Sequence, residues 1–292
     1  MQIGLVLPTM PDGASAEGIE ASADAAARLG WSSVWTTDHV LVPQSAASEY
    51  GRIFEAILTL AYVAGRHPDL RLGTSVIVVP QRNAVVLAKE LASLDALSRG
   101  RLIAGVGVGW NRTEFDNLGM GDRFRVRGAY LDETIALWRH LWSGSREPFD
   151  GRFHRFDDAV FEPLPVRGAE LPIWVGGRHP AALARAGRLG DGYHSSASSP
   201  SQYAERVPVV RAAAEAAGRP MPVLSARVAV RFDQPQGSFY ALRGDPEAMA
   251  SDLRAFAESG VTEVALGFGE TDTERSVAAI ERFDREVRPL IS

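Results

Sequence analysis

Asp38 and His39 stand side by side after the apolar run that opens VWTTDHVLVP (34–43). A carboxylate and an imidazole can hold or move a proton near neutral pH. Neighbouring side chains on an extended chain point to opposite faces. The pair is therefore not expected to form one dyad: one member faces a ligand and the other braces the loop. The plainer reading is a buried aspartate bonded to backbone amides beside a surface histidine. A second candidate is GVGVGWNRTEF (105–115). Gly105, Gly107 and Gly109 let a backbone approach a ligand closely. Trp110 breaks the dinucleotide pattern G-x-G-x-x-G, and the alternative is close strand packing. In WVGGRHP (174–180) two glycines follow an apolar run and precede a helix start at about Pro180. Gly176, Gly177 and the amides there suit a phosphate, and Arg178 adds a cationic clamp. The hydroxyls of HSSASS (194–199), Ser195 and Ser196 among them, would supply further donors. An ordinary helix cap is the competing explanation. Ser75, in GTSVIVVP (73–80), carries no further reading from its type and position alone.

Other chemistries lack their residues. The six histidines show no H-x-H or H-x-x-x-H spacing, so no catalytic metal is expected. There is no cysteine and no G-x-S-x-G elbow. Lys89 is the only lysine and follows no glycine loop, which excludes a G-x-x-x-x-G-K phosphate loop. No close pair of acids marks a glycosidase.

The elements that must position these residues alternate in period. Strands are expected at 3–8, 32–38, 71–79, 101–109, 171–177, 191–196, 223–232 and 261–269. Helices are expected at 15–31, 53–66, 84–98, about 127–142, 180–190, 200–217, 245–260 and 273–288. The strands are near-continuously apolar, as in a parallel sheet buried on both faces. Eight βα units predict an α/β fold, a (β/α)8 TIM barrel, with a doubly wound sheet as runner-up. No linker or composition shift appears, so residues 1–292 are expected to form a single domain. Two stretches break the alternation: a long loop at 40–52 and an insertion at 143–170 before the fifth strand, with a hairpin about Asp150–Gly151. Loops after strands build the active face of a barrel, so 40–52 is a candidate lid. The insertion follows a helix and starts from the opposite face.

A net charge of -5 without a basic block argues against nucleic acid. No apolar run approaches the roughly 18 residues of a membrane span. The start MQIGLVLPTM reads as a first strand, not a signal peptide, so a cytoplasmic protein is expected.

Taken together, IGLVLP, GWSSVWTTDHVLVP, the block from LRLGTSVIVVP to GVGVGWNRTEFDNLG, and LPIWVGGRHPAALARAGRLGDGYH resemble the bacterial luciferase-like flavin superfamily. Within it the chain resembles the branch of probable oxidoreductases using the deazaflavin coenzyme F420. The resemblance implies a (β/α)8 barrel, a homodimer, and a flavin across the C-terminal barrel mouth. Asp38 and His39 match the polar pair after strand two. Ser75 and Val76 match a bulge, usually with a non-proline cis peptide, behind the flavin ring. Gly107, Val108 and Gly109 match the backbone beside the ribityl chain, and Gly176, Gly177 and Ser196 the phosphate site. The expected reaction is hydride exchange with a small organic substrate, with His39 handling the proton and Glu55 and Glu114 as alternatives. A sugar-phosphate dehydrogenase of this superfamily has a lysine after strand six and a glutamate at the position of Trp110. SSASSPS lacks that lysine, so glucose 6-phosphate is not the expected substrate. Alternatives are an FMN-dependent monooxygenase fed by a flavin reductase, a non-catalytic flavin-binding protein, and an unrelated isomerase on the same barrel. An exit groove lined by Arg82, Arg112, Arg123, Arg125 and Arg127 would favour the deazaflavin and its polyglutamate tail.

Overall fold

The computed structural model describes residues 1–10, 14–232 and 239–291. Eight parallel strands carry the architecture: β1 (Gln2–Val6), β2 (Ser33–Thr36), β3 (Arg71–Thr74), β4 (Leu102–Gly107), β5 (Ile173–Gly176), β6 (Gly192–Ser196), β7 (Val223–Val230) and β8 (Glu263–Gly267). Each pairs with its sequence neighbours, and β8 returns to β1 with Gln2 opposite Glu263. The sheet therefore closes into a barrel, and the doubly wound alternative falls. The outer ring is α1 (Ala16–Arg28), α2 (Ala56–Arg66), α3 (Ala84–Leu97), α4 (Arg123–Trp142), α5 (Pro180–Leu189), α6 (Pro200–Ala216), α7 (Pro246–Glu258) and α8 (Thr273–Glu286). Among the described residues no helix is long and apolar enough to cross a membrane.

Helix starts follow local chemistry. Ser15, Asn83, Asp245 and Asp272 each accept a first-turn amide. Ser199 and Gln202 form a reciprocal capping box at α6. Helix α4 begins four residues before the expected 127, because Arg123, Arg125 and Arg127 hide its first turn from an apolar periodicity.

Two indoles fill the barrel interior. Trp35 and Trp174 lie 5.5 Å apart, with Val6, Ile103 and Ala265 around them. They fit because the facing strands omit a side chain: a Cβ on Gly73 would fall 2.2 Å from the Trp35 ring, and one on Gly192 2.4 Å from Trp174. Beneath them Trp35 Nε1 donates to Ser33 Oγ, which donates to Glu263, and Arg71 completes the buried chain at 2.8 Å. Each polar atom in this floor thus has a partner, which such burial requires.

The third strand does not run to 79. Regular pairing stops at Thr74, the Ser75–Val76 peptide is cis, and Ile77–Val78 resumes pairing against β4. The insertion climbs the outside of the barrel. Phe149–Asp150 pairs antiparallel with Arg155–Phe156, and the Glu133 carboxylate on α4 accepts the amides of Arg152, Phe153 and His154 within 2.9 Å. The returning segment buries Phe161 under Lys89, and the Val166 amide donates to Asp95. The only lysine therefore clamps this segment to α3, away from the mouth.

Candidate active site

The two residues at the end of β2 divide as their alternation requires. Asp38 turns inward and braces: its Oδ2 accepts the Val78 amide at 2.8 Å, and Arg82 Nη2 reaches Oδ1 at 2.6 Å. The same guanidinium reaches Glu55 at 2.9 Å, and Glu55 caps α2 through the Leu58 amide. His39 takes a different environment. Its Nδ1 lies 2.9 Å from Glu114 Oε2, while Glu114 Oε1 accepts the Val40 amide at 2.8 Å. Burial pushes the Glu114 carboxyl up, but hydrogen bonds from His39 and the Val40 amide outweigh it and hold the group below its usual value. Tyr50, on the short helix Ala47–Tyr50 of the 40–52 loop, packs on the His39 ring at 4.3 Å, and Trp110 stands edge-on at 6.2 Å. Among the described residues His39 Nε2 has no hydrogen-bond partner. In the tautomer that donates from Nδ1 to Glu114, Nε2 is an acceptor.

The bulge after β3 forms the back of the mouth. Ser75 Oγ bonds His194 Nε2 at 2.8 Å, and His194 Nδ1 bonds Ser225 Oγ at 2.9 Å. The His194 ring stacks on Trp35 at 4.7 Å. Burial, reinforced by the Arg227 charge, pushes its pKa down to about 3, so it is neutral at physiological pH. Val76 stands against two strand ends that lack side chains. A Cβ on Gly107 would fall 2.5 Å from its Cγ2, and one on Gly176 2.8 Å from its Cγ1. Val108 packs half-buried on the core, and Gly109 turns the chain at φ 74° toward the short helix Arg112–Asn117, which carries Glu114.

The phosphate-like corner is only partly as expected. The first-turn amides of α5 are already taken: Ala181 by His179 Nδ1, Ala182 and Leu183 by the His179 carbonyl. The amides of Arg178 and His179 make no backbone hydrogen bond among the described residues, and Gly177 holds φ 129° in the same turn. The exposed Arg178 side chain lies 5.9 Å over the Phe239 ring. Ser196 is exposed, but Ser195 is buried, its hydroxyl bonded to Ser198 at 2.9 Å and to Arg206 at 3.3 Å. Ser195 thus orients a cation on α6 that sequence reasoning missed. The arginine groove is mostly spent on internal bonds: Arg82 on Asp38, Arg112 on Asp116, Arg123 on two carbonyls and Arg127 on the Phe124 carbonyl, leaving Arg125 exposed. Also missed were Tyr50, His194 and Arg227. Only the strand-end position of His194 and Arg227 could have signalled them.

A cavity of about 370 Å³, lined by Arg227, opens between the ends of β1, β7 and β8 and under Ser48 and Glu49. A larger groove between α6 and α7, near Ser199, Tyr240 and Asp252, lies on the outside and touches none of this chemistry. Gly107 and Gly176 let the Val76 side chain pack directly on the ends of β4 and β5, which fits a platform behind a planar ring.

Known proteins are similar to this chain. An F420-dependent glucose-6-phosphate dehydrogenase of Mycolicibacterium fortuitum is 30% identical over 238 residues, 80% of this chain and 67% of that one. A second, of Kineococcus radiotolerans, is 34% identical over 65% of this chain, which spans only 56% of that relative's length. The structure of an F420-dependent secondary alcohol dehydrogenase, in complex with an F420-acetone adduct, superposes with a TM-score of 0.83. At 20% identity, covering 100% of this chain and 99% of that one, it attests the fold. The family model for luciferase-like monooxygenases matches residues 1–285, and this chain belongs to that family.

Proposed function

We propose that this protein is an F420-dependent oxidoreductase exchanging a hydride with a small organic alcohol, carbonyl or alkene. The observation that carries this reading is the His39–Glu114 pair, with Nε2 free, facing the same mouth as the Val76 platform. The F420 dependence of the two glucose-6-phosphate dehydrogenases supports the cofactor. When bound, a deazaflavin supplies the hydride chemistry. This chain's residues do the rest. Val76, Gly107 and Gly176 would seat the ring, and Gly177, Arg178, Ser196 and Arg206 the phosphate end. Glu114 orients His39, whose Nε2 takes or gives the substrate hydroxyl proton. Tyr50 and Trp110 exclude water from it. Asp38 keeps a positioning role, since both its oxygens are occupied. Residues 1–292 act as one unit in this reading, because all eight strands close one barrel.

Glucose 6-phosphate stays outside the proposed substrates. No lysine follows β6, and Lys89 is held on α3 by the Glu162 carbonyl. The homodimer is part of the proposal too. Exposed Leu58 and Tyr62 on α2, with Val85 and Val86 on α3, supply apolar side chains for a self-association that light scattering reads directly.

The primary test is a fluorescence titration with coenzyme F420 and with FMN. Binding of the deazaflavin in preference to FMN is expected. Preference for FMN would move the reading to a two-component monooxygenase, and binding of neither would end it. A companion variant, Gly107→Ala, places a methyl against Val76 Cγ2. Such overpacking costs about 1–3 kcal/mol. An F420 affinity lower by on the order of tenfold is expected, with the thermal midpoint lowered by a few degrees. Unchanged affinity would remove Val76 from the ring site.

A further inference from the structure

Several partly buried arginines meet either a carboxylate or two or more backbone carbonyls, as Arg101 and Arg123 meet carbonyls. Arg82, Arg139, Arg185 and Arg219 each sit on a carboxylate. Arg227, near the end of β7, has no carboxylate within ion-pair distance among the described residues. Its recorded bond is from Nη1 to the Ser75 carbonyl at 2.8 Å. Burial lowers its proton affinity, and Tyr50 opposes that shift. An unpaired charge in a low-dielectric site is costly, and a ligand that brings the opposite charge removes that cost.

Arg227 also lines the 370 Å³ cavity, whose volume falls in the range of small-ligand sites. Leu7, Pro8, Val228 and Phe268 make much of the remaining wall apolar, and Glu49 and Glu270 also line it. Arg231 lies beside them, but its Nη1 is committed to the carbonyls of Val230, Gly267 and Phe268. The cavity occupies the β7–β8–β1 side of the mouth, and Arg227 lies in register with Ser196 on β6, at the border of the side proposed for the cofactor's phosphate end.

We infer that Arg227 anchors a carboxylate of the substrate, so the substrate is a small apolar acid carrying the reacting alcohol or double bond. Guanidinium and carboxylate match in planar, bidentate geometry, and the tie to the Ser75 carbonyl holds the fork at the level of the ring platform. The inference rests on the proposed function for the side on which the cofactor lies. The anion preference itself stands without it.

Calorimetric titration with benzoate and with its neutral counterpart benzamide tests the site, on the wild type, Arg227→Met and Arg227→Lys. Coenzyme F420 is titrated in parallel. Benzoate is expected to bind at least about tenfold more tightly than benzamide, because the amide cannot supply the missing charge. Arg227→Met should abolish that preference, Arg227→Lys should keep part of it, and F420 affinity should stay within about threefold. Equal binding of the two probes, or a preference that survives Arg227→Met, overturns the inference. So does a loss of F420 binding in Arg227→Met with benzoate unaffected, since the cation would then serve the cofactor. An Arg227-dependent benzoate preference in a wild type that does not bind F420 keeps the anion site and sinks the cofactor reading alone.

Discussion

His39→Ala is expected to slow hydride transfer by about 10²–10⁴-fold, the range that a positioned acid–base group supplies. The expectation rests on geometry. Glu114 holds Nδ1 at 2.9 Å and is itself fixed by the Val40 amide, so the ring keeps one orientation and one tautomer. Nε2 has no hydrogen-bond partner among the described residues. In alcohol oxidation the hydroxyl proton has to leave as the hydride leaves its carbon, and in the proposed function Nε2 would accept it. F420 affinity should change by less than about threefold, because the imidazole contributes little binding surface beside the platform. Glu114→Gln separates orientation from charge. It keeps a hydrogen-bond acceptor for Nδ1 but removes the negative charge that stabilises the imidazolium, and about a tenfold loss is expected. Stopped-flow rates on a substrate found by screening small alcohols and unsaturated acids provide the check. A His39→Ala enzyme that keeps a third or more of the wild-type rate would remove His39 from the chemistry.

Acid should destabilise the fold well above the range in which most carboxylates titrate, and His194 should account for much of the loss. Its two nitrogens are both bonded to serine hydroxyls, its ring lies on Trp35, and its pKa in the folded chain is about 3. An unfolded histidine titrates near 6.5. Between those values the unfolded chain binds a proton that the folded chain refuses, so stability falls as the pH falls through that window. The slope approaches about 1.4 kcal/mol per pH unit for one such group. Glu114 works in the same direction. Its carboxyl is held down in the fold, so the stability it adds is present above the unfolded value and lost as pH falls through the folded one. Urea melts at pH 7, 6 and 5 would read the slope. His194→Gln keeps a donor and an acceptor between Ser75 and Ser225 but does not titrate, and it should flatten the slope by about one proton between pH 6 and 5. Identical slopes in the two proteins would mean that His194 is not the refusing group.

Helix and strand order could be read from the chain because apolar periodicity is a local property. Val34, Trp35 and their neighbours are buried on both faces of a closed sheet, and the run of apolar residues records that directly. The interruption at Ser75 left no such trace, since Ser75, Val76 and Ile77 read as more of the same strand. The division of labour between Asp38 and His39 was legible in outline, because alternation along an extended backbone is also local.

Which partners those residues meet was decided by the tertiary structure alone. Glu114 reaches His39 across 75 residues, His194 reaches Ser75 across 119, and Arg227 reaches it across 152. Such contacts depend on barrel closure and on the exact register between strands, which no short window of sequence contains. The same holds for the 143–170 insertion. Its composition allowed a loop over the mouth, but the Glu133 carboxylate and the Lys89 ammonium, both on neighbouring helices, hold it against the outer wall. By itself the sequence determined the order of the elements and the face each residue would take. Closure of the barrel then set the distances on which charge, hydrogen bonding and chemistry depend.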